Sequence, residues 1–241
     1  MPERLIHSIL YEYNYFYIFI IVIIYFVFLY FLGGTFFKRI CIYLEHKNIV
    51  ERIIKKDATK QQKWNEIFYS LQSIFIFGLT TLPIVYLTRI GKIEFKEDTI
   101  LNVFIGLLIL NVWNEIHFFV IHKMMHLPFF MKHVHKVHHR TYIPTLYSVF
   151  NFHWFEALLL STLPLSIVPF VPIAPLAVFL YPTCSILINF SGHCNYRFGK
   201  GKGSSWTLLS SNHNNHHYKA KQNFGFAINL LDEIFNKRIK K

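Results

Sequence analysis

The chain has 241 residues, of which 53% are hydrophobic and 18% aromatic, and it carries a formal net charge of +12. That composition is too apolar for an ordinary soluble domain, and long uncharged Ile/Phe runs exclude a basic nucleic-acid-binding domain. Three cysteines (Cys41, Cys184, Cys194) without C-x-x-C spacing exclude a disulfide framework or a zinc ribbon.

The first apolar run, "YFYIFIIVIIYFVFLYFL" at 15–32, has no charge over a length that crosses a bilayer. It lacks a short basic leader, and "GGTFFKR" follows it as a stop-transfer flank does, so it reads as a retained span with signal-anchor character. Residues 38–63 carry eight Lys and Arg and read as a solvated cytoplasmic loop by the positive-inside rule. A second run covers 67–88. A short, charge-balanced turn at 89–98 precedes a third run at 99–121. The last apolar region, 155–191, holds five prolines and so cannot be one straight helix. It predicts a helical hairpin broken at "PFVPIAP", entering and leaving on one face.

The predicted fold is therefore all-α: an integral membrane helical protein with about four membrane segments, the last a Pro-broken hairpin, and a cytoplasmic histidine-rich cap. Residues 1–98 read as N-terminal spans and a basic loop, and residues 99–241 as a second, histidine-bearing part. This topology puts 122–154 and 192–241 on the same side as the basic loop.

Twelve of the fourteen histidines lie from His117 onward. "HKMMH" supplies His122 and His126, "HKVHH" His135, His138 and His139, "SGHCN" His193, and "HNNHH" His213, His216 and His217. On a helix, residues i, i+3 and i+4 share a face, so each cluster can present two or three imidazoles to one point. One zinc takes about four ligands, so nine clustered histidines point to two neighbouring metals. Glu-x-x-His pairs, the mark of carboxylate di-iron bundles, are absent. His7, His46, His117 and His133 read as ordinary structural or surface residues.

This order of clusters, H-x-x-x-H, H-x-x-H-H, an isolated His after an apolar hairpin and a second H-x-x-H-H, resembles the fatty acid hydroxylase/sterol desaturase superfamily over roughly residues 110–236. "HKVHHRTYIPT" is similar to the family's H-K-x-H-H stretch with its following Pro-Thr. "NFHWFEAL" resembles its H-P-x-E element, with Trp154 where Pro is common. "NFGFAINLLDEIFNK" resembles its closing Asn-Phe-Gly, Asp and Phe pattern. Glu115 stands where many members have Asp. The resemblance implies metal ligation by His122, His126, His135, His138, His139, His193, His213, His216 and His217. His153, in the H-P-x-E element, is a tenth candidate, with support of the ligands from behind or hairpin capping as its other readings.

The resemblance further implies two iron ions, O2 as co-substrate and electrons from a separate donor. The reaction would be hydroxylation or desaturation of a lipid, at the endoplasmic reticulum with the histidines facing the cytoplasm. No haem-binding His-Pro-Gly-Gly is present, and "GKGKG" at 199–203 lacks P-loop context. A cytochrome b5-type or similar partner is therefore implied, and no nucleic acid. Some acyl hydroxylases have a further His four residues after the isolated one; Arg197 stands there, which weakens an acyl-chain 2-hydroxylase reading and tilts slightly towards sterol-type or generic members. Sterol, fatty acyl, ceramide and carotenoid substrates all stay open. Two other classes compete. A membrane metal-binding or transport protein would hold its ligands near mid-span, whereas these clusters lie at span ends among Lys and Arg. A zinc hydrolase needs far fewer histidines. The C-terminal "KRIKK" lacks the spacing of a dilysine signal.

Overall fold

The computed structural model describes residues 2–198, 212–213, 216–217, 223–228 and 230–236. "GKGKG" and "KRIKK" lie outside the described residues. Short helix α1 (Pro2–His7) precedes α2 (Tyr15–His46), α3 (Lys60–Arg89) and α4 (Ile100–Met125). The chain then turns through Pro128–Phe130 and a wide π-type turn, Met131–His135, into α5 (Lys136–His139). The proline-rich region forms α6 (Trp154–Ser161), α7 (Leu163–Ile167) and α8 (Pro175–His193), and α9 (Leu230–Asn236) follows.

Helices α2, α3, α4 and α8 are long and apolar enough to cross a membrane. The fold is thus the expected all-α membrane protein, with differences in detail. Helix α2 has 32 residues, about 48 Å at 1.5 Å per residue, against a hydrocarbon core of about 30 Å. It therefore outruns the apolar segment, and Lys38 and Arg39 belong to its projecting end rather than to a loop. Lys60 and Lys63 likewise belong to the first turn of α3, where Thr59 caps the helix by accepting the N–H of Gln62. Its interior proline, Pro83, does not end α3.

The hairpin is unequal. Its entering limb is two short helices, α6 and α7, and its returning limb is one helix, α8, which starts on Pro175 and tolerates Pro182 inside. The tip reaches the turn after α3: Lys96 N–H donates to Ile173 O, and Asp98 Oδ1 accepts Leu176 N–H at the start of α8. That turn therefore marks the end of the bundle opposite the histidines.

Lipid is as apolar as Leu, so close packing and interhelical polar pairs, each worth roughly 0.6 kcal/mol, hold such a bundle together. A Cβ on Gly106 would come within 2.7 Å of Ala177 Cβ, so α4 and α8 approach at bare backbone. Trp113 donates to Ser166 Oγ (2.8 Å), and His117 Nε2 lies 3.2 Å from Thr162 Oγ1, which joins α4 to the hairpin. One element was not expected from the sequence. Strands β1 (Val50–Arg52) and β2 (Tyr196–Phe198) pair antiparallel with Glu51 opposite Arg197. This ribbon ties the basic connection before α3 to the segment after His193.

Candidate metal centre

The C-terminal ends of α4 and α8, the turn before α5 and the start of α6 meet at one end of the bundle. There the structure brings together nine of the ten candidate histidines. His122, His126, His135, His139 and His216 form one group, with ring nitrogens all within 4.8 Å of one another. His138, His193 and His213 form a second. His217 joins it: its Nε2 is 3.0 Å from His213 Nε2, and its ring centroid is 4.6 Å from that of His138. The groups adjoin, with the rings of His135 and His138 5.4 Å apart.

His153 stands apart from both groups. Its Nδ1 accepts the N–H of Phe155 at the start of α6, and its ring lies beside Trp154. It caps a helix, one of the readings open to it from sequence.

Hydrogen bonds alone do not account for the first group. His126 Nε2 lies 3.0 Å from His216 Nε2, 3.1 Å from His135 Nε2 and 3.3 Å from His139 Nε2. A ring nitrogen carries one proton or one in-plane lone pair, so it cannot serve three ring nitrogens at once. Ligands held about 2.0–2.1 Å from a shared ion lie roughly 3.0–3.4 Å from one another. Buried His122 Nε2 has no protein partner, although the same ring donates through Nδ1 to Phe224 O (2.9 Å). The residues fit a metal.

Partners behind the rings fix which nitrogen faces inward. His135 Nδ1 is 2.8 Å from Glu156 Oε1, and His193 Nδ1 is 2.7 Å from Ser148 Oγ. With His122 on Phe224 O, three rings hold their proton on Nδ1 and turn the Nε2 lone pair to the centre, as metal-ligating histidines do. Burial holds the imidazoles of His135, His138, His213 and His217 well below the ordinary histidine value, and neighbouring imidazoles push the same way. Burial, then His216, lowers His139 to about 3. The rings are therefore neutral, the state in which imidazole can ligate. Burial pushes the Glu156 carboxyl upward; a cation at the adjoining rings would favour its ionised form.

The closing segment is built around Glu115. Its carboxylate accepts the N–H groups of Phe226 (2.9 Å) and Ala227 (2.8 Å), while Asp232 accepts that of Gly225 (2.8 Å). A Cβ on Gly225 would fall 2.2 Å from Ile228 O, so only glycine fits there. This holds Phe224 where its carbonyl meets His122. The sequence pattern flagged Glu115, Gly225 and Asp232 without saying what they do. Glu156 is the acid of the H-P-x-E-like element, whose role the sequence left open, and Ser148 was missed, because a lone serine in a loop carries no signal until the fold sets it against His193.

Below the centre lies an apolar cavity of about 250 Å³, lined from the α1 end by Ile6 and Ile18 and towards the histidines by Phe118, Phe152 and Phe226. Phe118 packs on His122 (4.9 Å between centroids) and Phe152 on His138 (5.3 Å). One layer of aromatic rings separates the cavity from both groups.

Residues 107–237 match the fatty acid hydroxylase family, which is more than half of the chain. The chain belongs to this family. Among curated relatives, sphinganine C4-monooxygenase 2 of Arabidopsis thaliana is 28% identical over 134 residues, 54% of this chain and 49% of that protein. Lathosterol oxidase of Rattus norvegicus is 24% identical over 214 residues, 84% of this chain and 71% of that protein. A probable Delta(7)-sterol 5(6)-desaturase of Neurospora crassa is 27% identical over 129 residues, 47% and 32% of the two chains. The chain thus spans about half of the first relative's length and a third of the last's. No solved structure gives a significant match. Membership in the fatty acid hydroxylase family agrees with the superfamily resemblance of the histidine order.

Proposed function

We propose that the protein is a membrane di-iron oxidase that hydroxylates or desaturates a lipid. The observation that carries this reading is the pair of adjoining histidine groups at the head of an apolar cavity. His122, His126, His135, His139 and His216 would hold one iron, and His138, His193, His213 and His217 the other. Bound iron would supply O2 activation and abstraction of hydrogen from an unactivated C–H bond, chemistry that no side chain can carry. For hydroxylation, the lipid C–H bond, O2, two electrons and two protons give the alcohol and one water. For desaturation, two adjacent C–H bonds, O2, two electrons and two protons give the alkene and two waters.

The chain's own residues bind, orient and keep water out. The aromatic and aliphatic cavity wall would take a hydrocarbon from the bilayer, and Phe118, Phe152 and Phe226 would guide its reactive carbon to the rings while excluding water. Glu156, Ser148 and the Phe224 carbonyl keep protons on the outer nitrogens. The named relatives include a sphingoid-base enzyme and two sterol enzymes. With Arg197 in β2 rather than a further histidine, the sterol class is the first to test.

The electrons come from a separate donor, for which a cytochrome b5-type protein is the natural class. Exposed Lys38, Arg39, Lys55, Lys56, Lys132 and Arg140 belong to the histidine end of the bundle and would suit an acidic docking face. Positive loops favour the cytoplasmic side, and the endoplasmic reticulum is the membrane we assign.

The test is untargeted lipid mass spectrometry on cells expressing the wild type or His216→Ala. A lipid that gains one oxygen or loses two hydrogens only in the wild type is the expected result and names the substrate. Identical profiles in cells supplied with sterol, sphingoid and acyl lipids and a b5-type donor would overturn the reading, as would purified protein that binds only zinc at one per chain.

A further inference from the structure

The first histidine group has a carboxylate of its own: Glu156 touches His135 directly. Among the described residues no carboxylate touches His138, His193, His213 or His217. The structure nevertheless holds a further buried carboxylate that nothing above uses. Glu66 lies on α3 at 1% exposure, outside residues 107–237.

Two of its three hydrogen bonds lead towards the second histidine group. Glu66 Oε1 accepts from Gln62 Nε2 (2.8 Å) and Thr141 Oγ1 (3.1 Å), and Oε2 accepts from Thr145 Oγ1 (2.6 Å). Both threonine oxygens are also acceptors: that of Thr141 takes Asn151 Nδ2–H (3.1 Å), and that of Thr145 takes Tyr147 N–H (3.1 Å). A hydroxyl has one proton, and in both cases it points to Glu66. From Thr141 the path is short. Its backbone N–H donates to His138 O (3.2 Å), and Asn151 also donates to Val137 O (3.2 Å). From Thr145 the path runs through the single turn Leu146–Ser148. Ser148 Oγ donates to Thr145 O (2.7 Å) and accepts from His193 Nδ1 (2.7 Å). One arm ends at His138 and the other at His193. Both belong to the second group.

We propose that Glu66 is the positioning residue of the second metal site, setting His138 through Thr141 and His193 through Thr145 and Ser148. The proposal rests on the dinuclear reading above. It makes the two groups alike in plan: each is braced by one buried carboxylate, directly in the first and through two threonines in the second. It also makes a helix outside the family-matched region part of the centre.

The test uses the full-length protein, purified in detergent and loaded with ⁵⁷Fe, and reads iron per chain and Mössbauer spectra. Wild type should hold two irons. Glu66→Ala should hold about one, with the spectrum of the retained iron unchanged. Glu66→Gln can offer an acceptor oxygen to only one threonine and should fall between. Outer partners of metal ligands typically change metal affinity about 10- to 100-fold, so Thr141→Val and Thr145→Val should each speed loss of one iron to a chelator by that order. These two variants carry the test if Glu66→Ala does not accumulate. Two irons with wild-type spectra and wild-type chelator resistance in the alanine variant, or in both valine variants, would overturn the proposal. Equal loss of both irons would overturn it too, since that is what a merely structural role produces. Fewer than two irons in wild type would instead refute the dinuclear reading.

Discussion

The two H-x-x-H-H motifs have one spacing but opposite assignments. In the first, His135 and His139 face the five-membered group and His138 faces the other. In the second, His213 and His217 face the smaller group and His216 crosses to the larger. Helix geometry explains the split. Residues i and i+4 are about 40° apart around the axis, whereas i+3 lies about 100° from i+4, on the other side of i. A single motif can thus feed two neighbouring points, two rings to one and one to the other. Two such motifs facing each other make reciprocal contributions, so neither group can be completed by one motif alone. Clustering by sequence and clustering in space are different things here.

That reciprocity can be broken. The largest effect is expected from His126→Ala, which removes the ring on which three others converge; iron should fall by one per chain and product formation should drop below detection in the lipid assay. Next come His213→Ala and His216→Ala, three positions apart in one motif. Each should abolish turnover, yet their residual iron spectra should differ, because each empties a different group. Identical residual spectra would mean that the motif feeds one site only. Glu156→Ala should be milder, with iron affinity or turnover lowered about 10- to 100-fold by chelator competition and activity assays. The smallest effect belongs to His153→Ala. It should leave two irons in place and cost about 1 kcal/mol or less of stability, the scale of a lost helix cap, read as a small drop in Tm.

Much of this organisation was legible beforehand. The apolar runs gave the spans, and histidine spacing gave the nine candidates that the structure gathers. Spans announce themselves because lipid demands uninterrupted apolar helix, and the candidate ligands do because their imidazoles are clustered. The rest was hidden for physical reasons. Lys38 and Arg39 look like loop residues because charge ends an apolar run, but it does not end a helix that continues into water. Strands β1 and β2 have three residues each, too few to show a period of two. Glu66 is the one acid of α3, and only the fold brings Thr141 and Thr145 against it. His153 fitted a motif, and its position at the start of α6 gave it a different job.

The order of these histidines along the chain also has a consequence during synthesis. His122, His126, His135 and His139 are made within one short stretch, and only His216 of their group comes late. The other group has His138 at that stage and must wait for His193 and His213. A nascent chain paused after α5 already carries four of the five imidazoles of one group and a single imidazole of the other. If the groups hold metal as proposed, an ion meeting the growing protein would find one group nearly complete, and emergence of the last segment would complete both.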